Sequence, residues 1–329
     1  MRRWTIEGGR LVAEEPGQAA AVRAEDADAA PHITLMSVCR ATEQLTDPLA
    51  CGVLGTMAHA ALPFAEFGER RAAGVVVLPA GEGRSADARR FAFVLEPGRL
   101  LLADSDGVCE PVLAHLADER QPVAGAAAVL AVLLRLLLRD HPEALSRVRD
   151  DLELIEERIL EGRERVDRAK MVADSRRLLG YDTFYQGLSD VADDLGDDAL
   201  MPLTGKDGQR AFRSLARQLD RLSARLETLQ DYSLQINSLY QESIDIRQNN
   251  VMQWLTVVAT IAMPLTFITS WYGMNFPNMV LINTSWGYAV AALLCLAIVV
   301  AEVVFFHRKG WLSFGPGRRR RGRRGGRDA

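Results

Sequence analysis

Residues 249–275 read NNVMQWLTVVATIAMPLTFITSWYGMN, and this stretch decides the fold. From Val251 to Tyr272 it has 22 residues and no charged side chain. As a helix such a run covers about 33 Å, enough to cross the hydrocarbon core of a bilayer. A second apolar run, Trp286 to Phe306, follows after FPNMVLINTS and carries one charge, Glu302. Two spans joined by so short a loop make an antiparallel pair. Trp271 and Tyr272 at one edge and Trp286 and Tyr288 at the facing edge form an interfacial aromatic belt. His307-Arg308-Lys309 and an arginine-rich tail come next. The positive-inside rule then places both chain ends in the cytoplasm and the short loop outside the plasma (inner) membrane.

Upstream, the chain is water-soluble in character. The whole protein has 329 residues and a net charge of −4, but that average conceals two parts. Residues 307–329 hold nine Arg or Lys and one Asp, which leaves −12 on the remainder. An acidic body with a basic tail is the better description. The four cysteines, Cys39, Cys51, Cys109 and Cys295, show no CxxC spacing, and they read as buried free thiols. The first residues, MRRWTIEGGRLVAEEP, lack the apolar core of a secretory signal.

Residues 1–123 read as a cytoplasmic α/β domain. Trp4-Thr5-Ile6 and Leu11-Val12-Ala13 flank a Gly-Gly turn. GVVVL at 74–78 suits a buried strand, and FAFVLE, Pro-Gly, RLLLAD over 91–104 is a hairpin. Leu49–Phe67 and Glu110–Glu119 read as short helices, and GEGRSADARR at 81–90 as a solvated loop rather than a phosphate loop. Residues 124–248 read as a helical stalk. Ala124–Leu138 is apolar but too short to span a membrane. Helices are expected from Asp140 to about Val172 and from Ala173 to Leu195, with a turn over Met201–Gly208. Then Leu215, Leu219, Leu222, Leu226, Leu229, Ser233 and Ile236 recur at spacings of four and three, the seam of a helix lying along another helix. Between Gln209 and Gly273 the only Pro or Gly is Pro264, so one very long helix is expected to run from the stalk into the first span. Residues 249–307 form the membrane part, with spans at about 251–272 and 286–306 and an outer loop 273–285. Residues 308–329 form a basic tail. The fold class is therefore an α+β membrane protein.

Asn249, Val251-Met252, Leu255-Thr256, Met263-Pro264-Leu265-Thr266-Phe267, Tyr272-Gly273-Met274-Asn275-Phe276 and Trp286-Gly287-Tyr288 resemble the CorA-type divalent-cation channel family, closely over about residues 237–312. The resemblance implies a homopentamer whose first spans line a pore and whose second spans surround it. It implies Mg²⁺ as the transported ion, with Co²⁺ and Ni²⁺ as substitutes, and a ring of Gly273, Met274 and Asn275 that receives the ion. It also implies that intracellular Mg²⁺ binds acidic groups between soluble domains and favours closure, at a site no residue here identifies. A zinc or proton-coupled relative and a non-conducting membrane-tethered scaffold are the alternatives. No resident cofactor is expected, nor an enzyme, since no catalytic triad, metal-ligand cluster or phosphate loop is read.

Helical geometry adds an independent argument. At about 100° per residue, Asn249, Met252, Thr256, Ala259, Met263, Thr266 and Ser270 fall on one arc, with Leu255 beside it. Amides, hydroxyls and a small side chain alternate there with methionine. Such a path suits a cation that keeps its water, and Mg²⁺ gives up water reluctantly. Met252 and Leu255 would form an apolar constriction, and Asn275 would accept hydrogen bonds from the ion's hydrating water. Apart from the family resemblance, Met252 and Met263 read as lipid-facing or helix-packing residues. Asp245 is an exposed carboxylate or an acidic ring below Asn249. Asp193, Asp194, Asp197 and Asp198 read as a solvated helix end. Glu302 reads as a side chain that snorkels to the cytoplasmic interface. Two features depart from the family pattern. Phe276–Ser285 has no acidic residue, and Asn250 stands where an acid often follows the Asn. The arginine tail suits anionic lipid, and no nucleic-acid partner is expected because the basic run has no interleaved aromatics.

Overall fold

The computed structural model describes residues 1–14, 31–79, 88–119, 122–162, 167–274 and 286–311. Among these residues seven strands form one sheet: β1 (Arg2–Glu7), β2 (Arg10–Ala13), β3 (His32–Met36), β4 (Phe64–Phe67), β5 (Ala72–Val77), β6 (Arg90–Glu96) and β7 (Arg99–Asp104). The sheet order is β2-β1-β3-β7-β6-β5-β4, with β3 and β7 parallel and every other neighbour antiparallel. The expected hairpins stand at β1–β2 and β6–β7. Leu49–Phe67 divides into a helix, α2 (Pro48–Thr56), and the edge strand β4, so the second part of that expectation is corrected. Asp47 caps α2 through Ala50 N at 3.1 Å, and Pro48 fits the first turn.

The period-2 alternation of the strands builds two apolar layers. Ala73, Val75, Val77, Ala92, Val94 and Ala103 face α1 (Val38–Gln44) and α2. The intervening residues Phe91, Phe93, Leu95, Leu100 and Leu102 are also buried, on the side taken by α4 (Ala126–Leu137). α3 (Cys109–Asp118) packs by β2 and α4. Cys109 is buried, and its desolvated thiol is held far above the ordinary range. Cys39 and Cys51 are exposed and Cys295 half-buried, so the expectation of four buried thiols fails at three positions. Short helices α1 and α2 bury only the small or apolar side and leave these two outward.

α5 (His141–Leu160), α6 (Arg168–Gly196) and α7 (Met201–Tyr272) follow. The break between α5 and α6 lies ten residues earlier than the sequence suggested, after Gly162, whose φ of 70° is the left-handed stop of a helix. Asp167 then caps α6 through Ala169 N and Lys170 N. The expected turn over Met201–Gly208 contracts to one residue, Gly205, at φ 67° and ψ 167°. All seven seam residues from Leu215 to Ile236 are buried. Asp193, Asp194, Asp197 and Asp198 are exposed at the α6 end, where Asp198 pairs with Arg213 at 2.6 Å. Burial and neighbouring Asp220 and Asp190 push the Asp193 carboxyl upward, and burial and Asp190 do the same at Asp194. α8 (Gly287–Arg308) completes the described chain. The structure divides into two compact units, Met1–Ile155 with Asp167–Ile236, and Glu156–Val166 with Asn237–Ala329.

One contact joins α6 to the sheet end of the first unit. A Cβ at Gly187 would stand 2.5 Å from the Pro63 carbonyl oxygen and 2.8 Å from its Cδ. Gly187→Ala is expected to lower stability by about 1–3 kcal/mol through this overlap, measured as a lowered denaturation midpoint. Leu222→Ala, within the buried seam, is expected to cost about 2–5 kcal/mol by the same assay.

Candidate functional site

The second unit contains the residues singled out for ion passage. Within 249–272, the less exposed residues of α7 are Gln253, Val257, Ile261, Pro264, Leu265, Ile268 and Tyr272. They form one stripe at helical spacing, centred on Val257, which is only 3% exposed. α8 has a matching stripe: Gly287, Ala291, Cys295, Ile298, Val299, Glu302 and Phe306. Each helix thus has one covered side, the pattern of two helices lying against each other.

Asn249, Met252, Leu255, Thr256, Ala259, Met263, Thr266 and Ser270 are all exposed. At about 100° per residue the centre of this arc is roughly opposite the centre of the covered stripe. Met252 is 57% and Met263 76% exposed, so neither packs within the chain. Packing against other residues of the same chain is thereby removed as a reading of these two methionines.

The hydroxyls on this part of α7 are oriented by their own helix. Thr256 Oγ1 donates to Met252 O at 2.8 Å, and Thr266 Oγ1 donates to Ala262 O at 2.8 Å. Thr260 and Thr269 do the same, to Thr256 O and Leu265 O at 2.7 and 3.0 Å. With its proton committed to a carbonyl, a threonine oxygen offers outward only an acceptor. Water bound to a cation turns its hydrogens outward and needs acceptors. Thr256 and Thr266 therefore have the polarity required for a hydrated cation. Pro264 adds a feature that residue spacing did not single out. It has no N–H, so the Thr260 carbonyl lacks its usual helical donor.

The helix ends as the sequence suggested. Gly273 N donates to Thr269 O at 2.9 Å and to Ser270 O at 3.2 Å, and Met274 N lies 3.4 Å from Trp271 O. Gly273 and Met274 are exposed. Asn275, the uncharged loop 276–285 and the arginine run of the tail lie outside the described residues, as does most of the 81–90 loop. Trp271, Trp286 and Tyr288 are exposed, as an interfacial belt requires. Asp245 and Asn250 are exposed on α7. Among the described residues no group of three or more His, Cys, Asp or Glu is placed to hold a metal ion.

Glu302 differs from expectation. It lies on the covered stripe of α8, and its Oε2 is buried without a hydrogen-bond partner. One carboxylate oxygen is thus turned inward, while the side chain as a whole is half-buried. The covered stripe of α7 offers it no basic side chain. Such a group costs stability in an apolar setting. Glu302→Leu is expected to stabilise the detergent-solubilised protein by about 1–3 kcal/mol, seen as a raised melting temperature.

Comparison with known proteins fits this architecture. The family described as "CorA-like Mg2+ transporter protein" matches residues 72–308, well over half of the chain. The cobalt/magnesium transport protein CorA of Thermotoga maritima is 32% identical over 184 residues, 56% of this chain and 52% of the relative. The chain thus matches about half the length of that relative. The magnesium transport protein CorA of Haemophilus influenzae strain Rd is 27% identical over 250 residues, 70% of this chain and 74% of the relative. The complete structure of the CorA magnesium transporter from Methanocaldococcus jannaschii has a TM-score of 0.73 at 19% identity, covering 94% of this chain and 98% of that one. The full-length CmaX structure gives 0.70 at 17% identity, with the same coverage. At these identities the two structures speak for the fold: an N-terminal α/β unit, a long helix and a second apolar helix. Among the described residues, α7 and α8 are the two helices long and apolar enough to cross a membrane. The chain belongs to the CorA-like Mg²⁺ transporter family.

Proposed function

We propose that the protein is a homopentameric, gated channel for Mg²⁺ influx across the plasma membrane, with Co²⁺ and Ni²⁺ as substitutes. The observation that carries this reading is the exposed arc of α7 facing away from the covered stripe. Five copies with α8 on the outside would turn their arcs toward a common axis. Met252 and Leu255 would form the constriction that loses water when closed. Thr256, Thr266 and Ser270 would accept hydrogen bonds from the hydrated ion, with Asn249 below and a Gly273-Met274-Asn275 ring above. The Thermotoga and Haemophilus relatives are named for cobalt/magnesium and magnesium transport, which supports the same class of ion. Both termini would lie in the cytoplasm, intracellular Mg²⁺ would favour closure, and the basic tail would contact anionic lipid. The ion would be the cargo, and no resident cofactor enters the scheme.

The uncharged segment Phe276–Ser285 favours a second reading of the cargo. Without acidic side chains the mouth lacks a strong attraction for dications, and zinc or another dication becomes the alternative. A non-conducting scaffold is the remaining outcome.

Flux into liposomes separates these readings. The native protein is expected to pass Mg²⁺ and to be inhibited by Mg²⁺ on the cytoplasmic side. Asn275→Ala is expected to reduce flux about tenfold or more, the loss of one or more charge-assisted hydrogen bonds per ion. Equal flux in this variant would remove the assigned role of Asn275. Preference for Zn²⁺ would select the second reading, and no flux of any dication would select the scaffold.

A further inference from the structure

The α5–α6–α7 bundle contains a carboxylate that neither the fold nor the ion pathway uses. Asp174, on α6, is 6% exposed, and its Oδ2 is buried without a hydrogen-bond partner. The next residue joins two helices: Ser175 Oγ lies 3.2 Å from Ser233 Oγ on α7. Ser233 belongs to the buried seam, between Leu229 and Ile236. Asp174 is therefore adjacent to the link that holds the start of α6 against α7.

Three charged groups act on it. α5 contributes Asp151, whose negative charge opposes ionisation of Asp174. α6 contributes Lys170 and Arg177, which favour it. Lys170 is already engaged, with Nζ 2.7 Å from Asp151 Oδ1. α7 reaches this part of α6 through Ser233, which bonds Ser175, and the charges that act on Asp174 lie on α5 and α6. Burial is the largest influence, followed by Asp151, and together they hold the Asp174 carboxyl above its ordinary range.

We propose that Asp174 is a proton-operated clamp on the start of α6, which Lys170–Asp151 ties to α5 and Ser175–Ser233 ties to α7. Ionised, the carboxylate is a buried charge beside Asp151, and opening the start of α6 lets water reach it. Protonated, it is neutral, is no longer repelled by Asp151, and has a hydrogen-bond donor for a neighbouring acceptor. The proton comes from and returns to bulk water, with no other reactant. The sign follows from linkage. A carboxyl that binds its proton more tightly in the closed state than in the open one closes the clamp as pH falls. The opening equilibrium changes by at most about tenfold per pH unit, within the window between the open and closed proton affinities, above the usual carboxylate range. α7 continues through the seam into residues 249–272, so the clamp acts on the helix that carries the proposed ion pathway.

Hydrogen–deuterium exchange on the full-length protein in nanodiscs tests this without requiring transport. After correction for intrinsic exchange, residues 168–178 and 229–236 are expected to become better protected as pH falls toward the usual carboxylate range, by up to about tenfold per pH unit. In Asp174→Asn and in Asp174→Leu these segments are expected to lose that response, and one folded variant of the two is sufficient. Lys170→Met, which removes a favourable cation, is expected to move the response to higher pH. His141 is present in all of these proteins. Burial lowers its pKa to about 4, and its protonation on acidification opposes folding, so it does not mimic the clamp. An unchanged pH response in the Asp174 variants would overturn the proposal, as would protection that falls on acidification.

Discussion

In a bilayer a chain must satisfy its own backbone hydrogen bonds, and this constraint governs the second unit. α7 continues to Tyr272, and Gly273 then closes the helix on the carbonyls of Thr269 and Ser270. The same economy extends to side chains. The threonines of the span donate back to carbonyls four residues earlier, so their protons are not left in an apolar setting. Two exceptions stand out. Pro264 withholds a donor from the Thr260 carbonyl, and Glu302 buries a carboxylate oxygen without a partner. Both lie on covered stripes, away from the exposed arc.

In the first unit the governing term is apolar burial. The two-sided sheet and the leucine seam of α7 supply it, and glycine at 187 permits the close approach of α6 to Pro63. Into this bundle the chain has placed Asp174, a charge whose burial is not fully offset. A group of that kind makes local packing responsive to its surroundings in a way that an apolar residue would not.

Much of this was legible in sequence because the signals were periodic. The seam from Leu215 to Ile236 was readable from its four-and-three spacing, and every member is buried. The β6–β7 hairpin was readable from Pro-Gly between two apolar runs. The family emerged from the residues around Met263-Pro264 and Gly273-Met274-Asn275. Errors came where local signals competed. β4 follows a helix so closely that 49–67 looked uniform. The α5–α6 break depends on one glycine inside a charged, helix-favouring stretch. Sequence direction alone could not show that Glu302 turns toward the covered stripe, or that Asp174 is buried, because both depend on tertiary packing. For the candidate pathway, the angular grouping was predictable from spacing. Its placement opposite the covered side required coordinates.

In the proposed channel the exposed arc of α7 lines an aqueous path. Single cysteines introduced into a functional variant lacking the native thiols, at Ala259, Thr266 and Ser270 and at Val257, Ile261 and Ile268, test it directly. A membrane-impermeant thiol reagent is expected to modify the first three positions, with Mg²⁺ slowing the reaction, and to leave the second three unmodified. Modification of the second set with the first set inert would mean that the arc faces away from water.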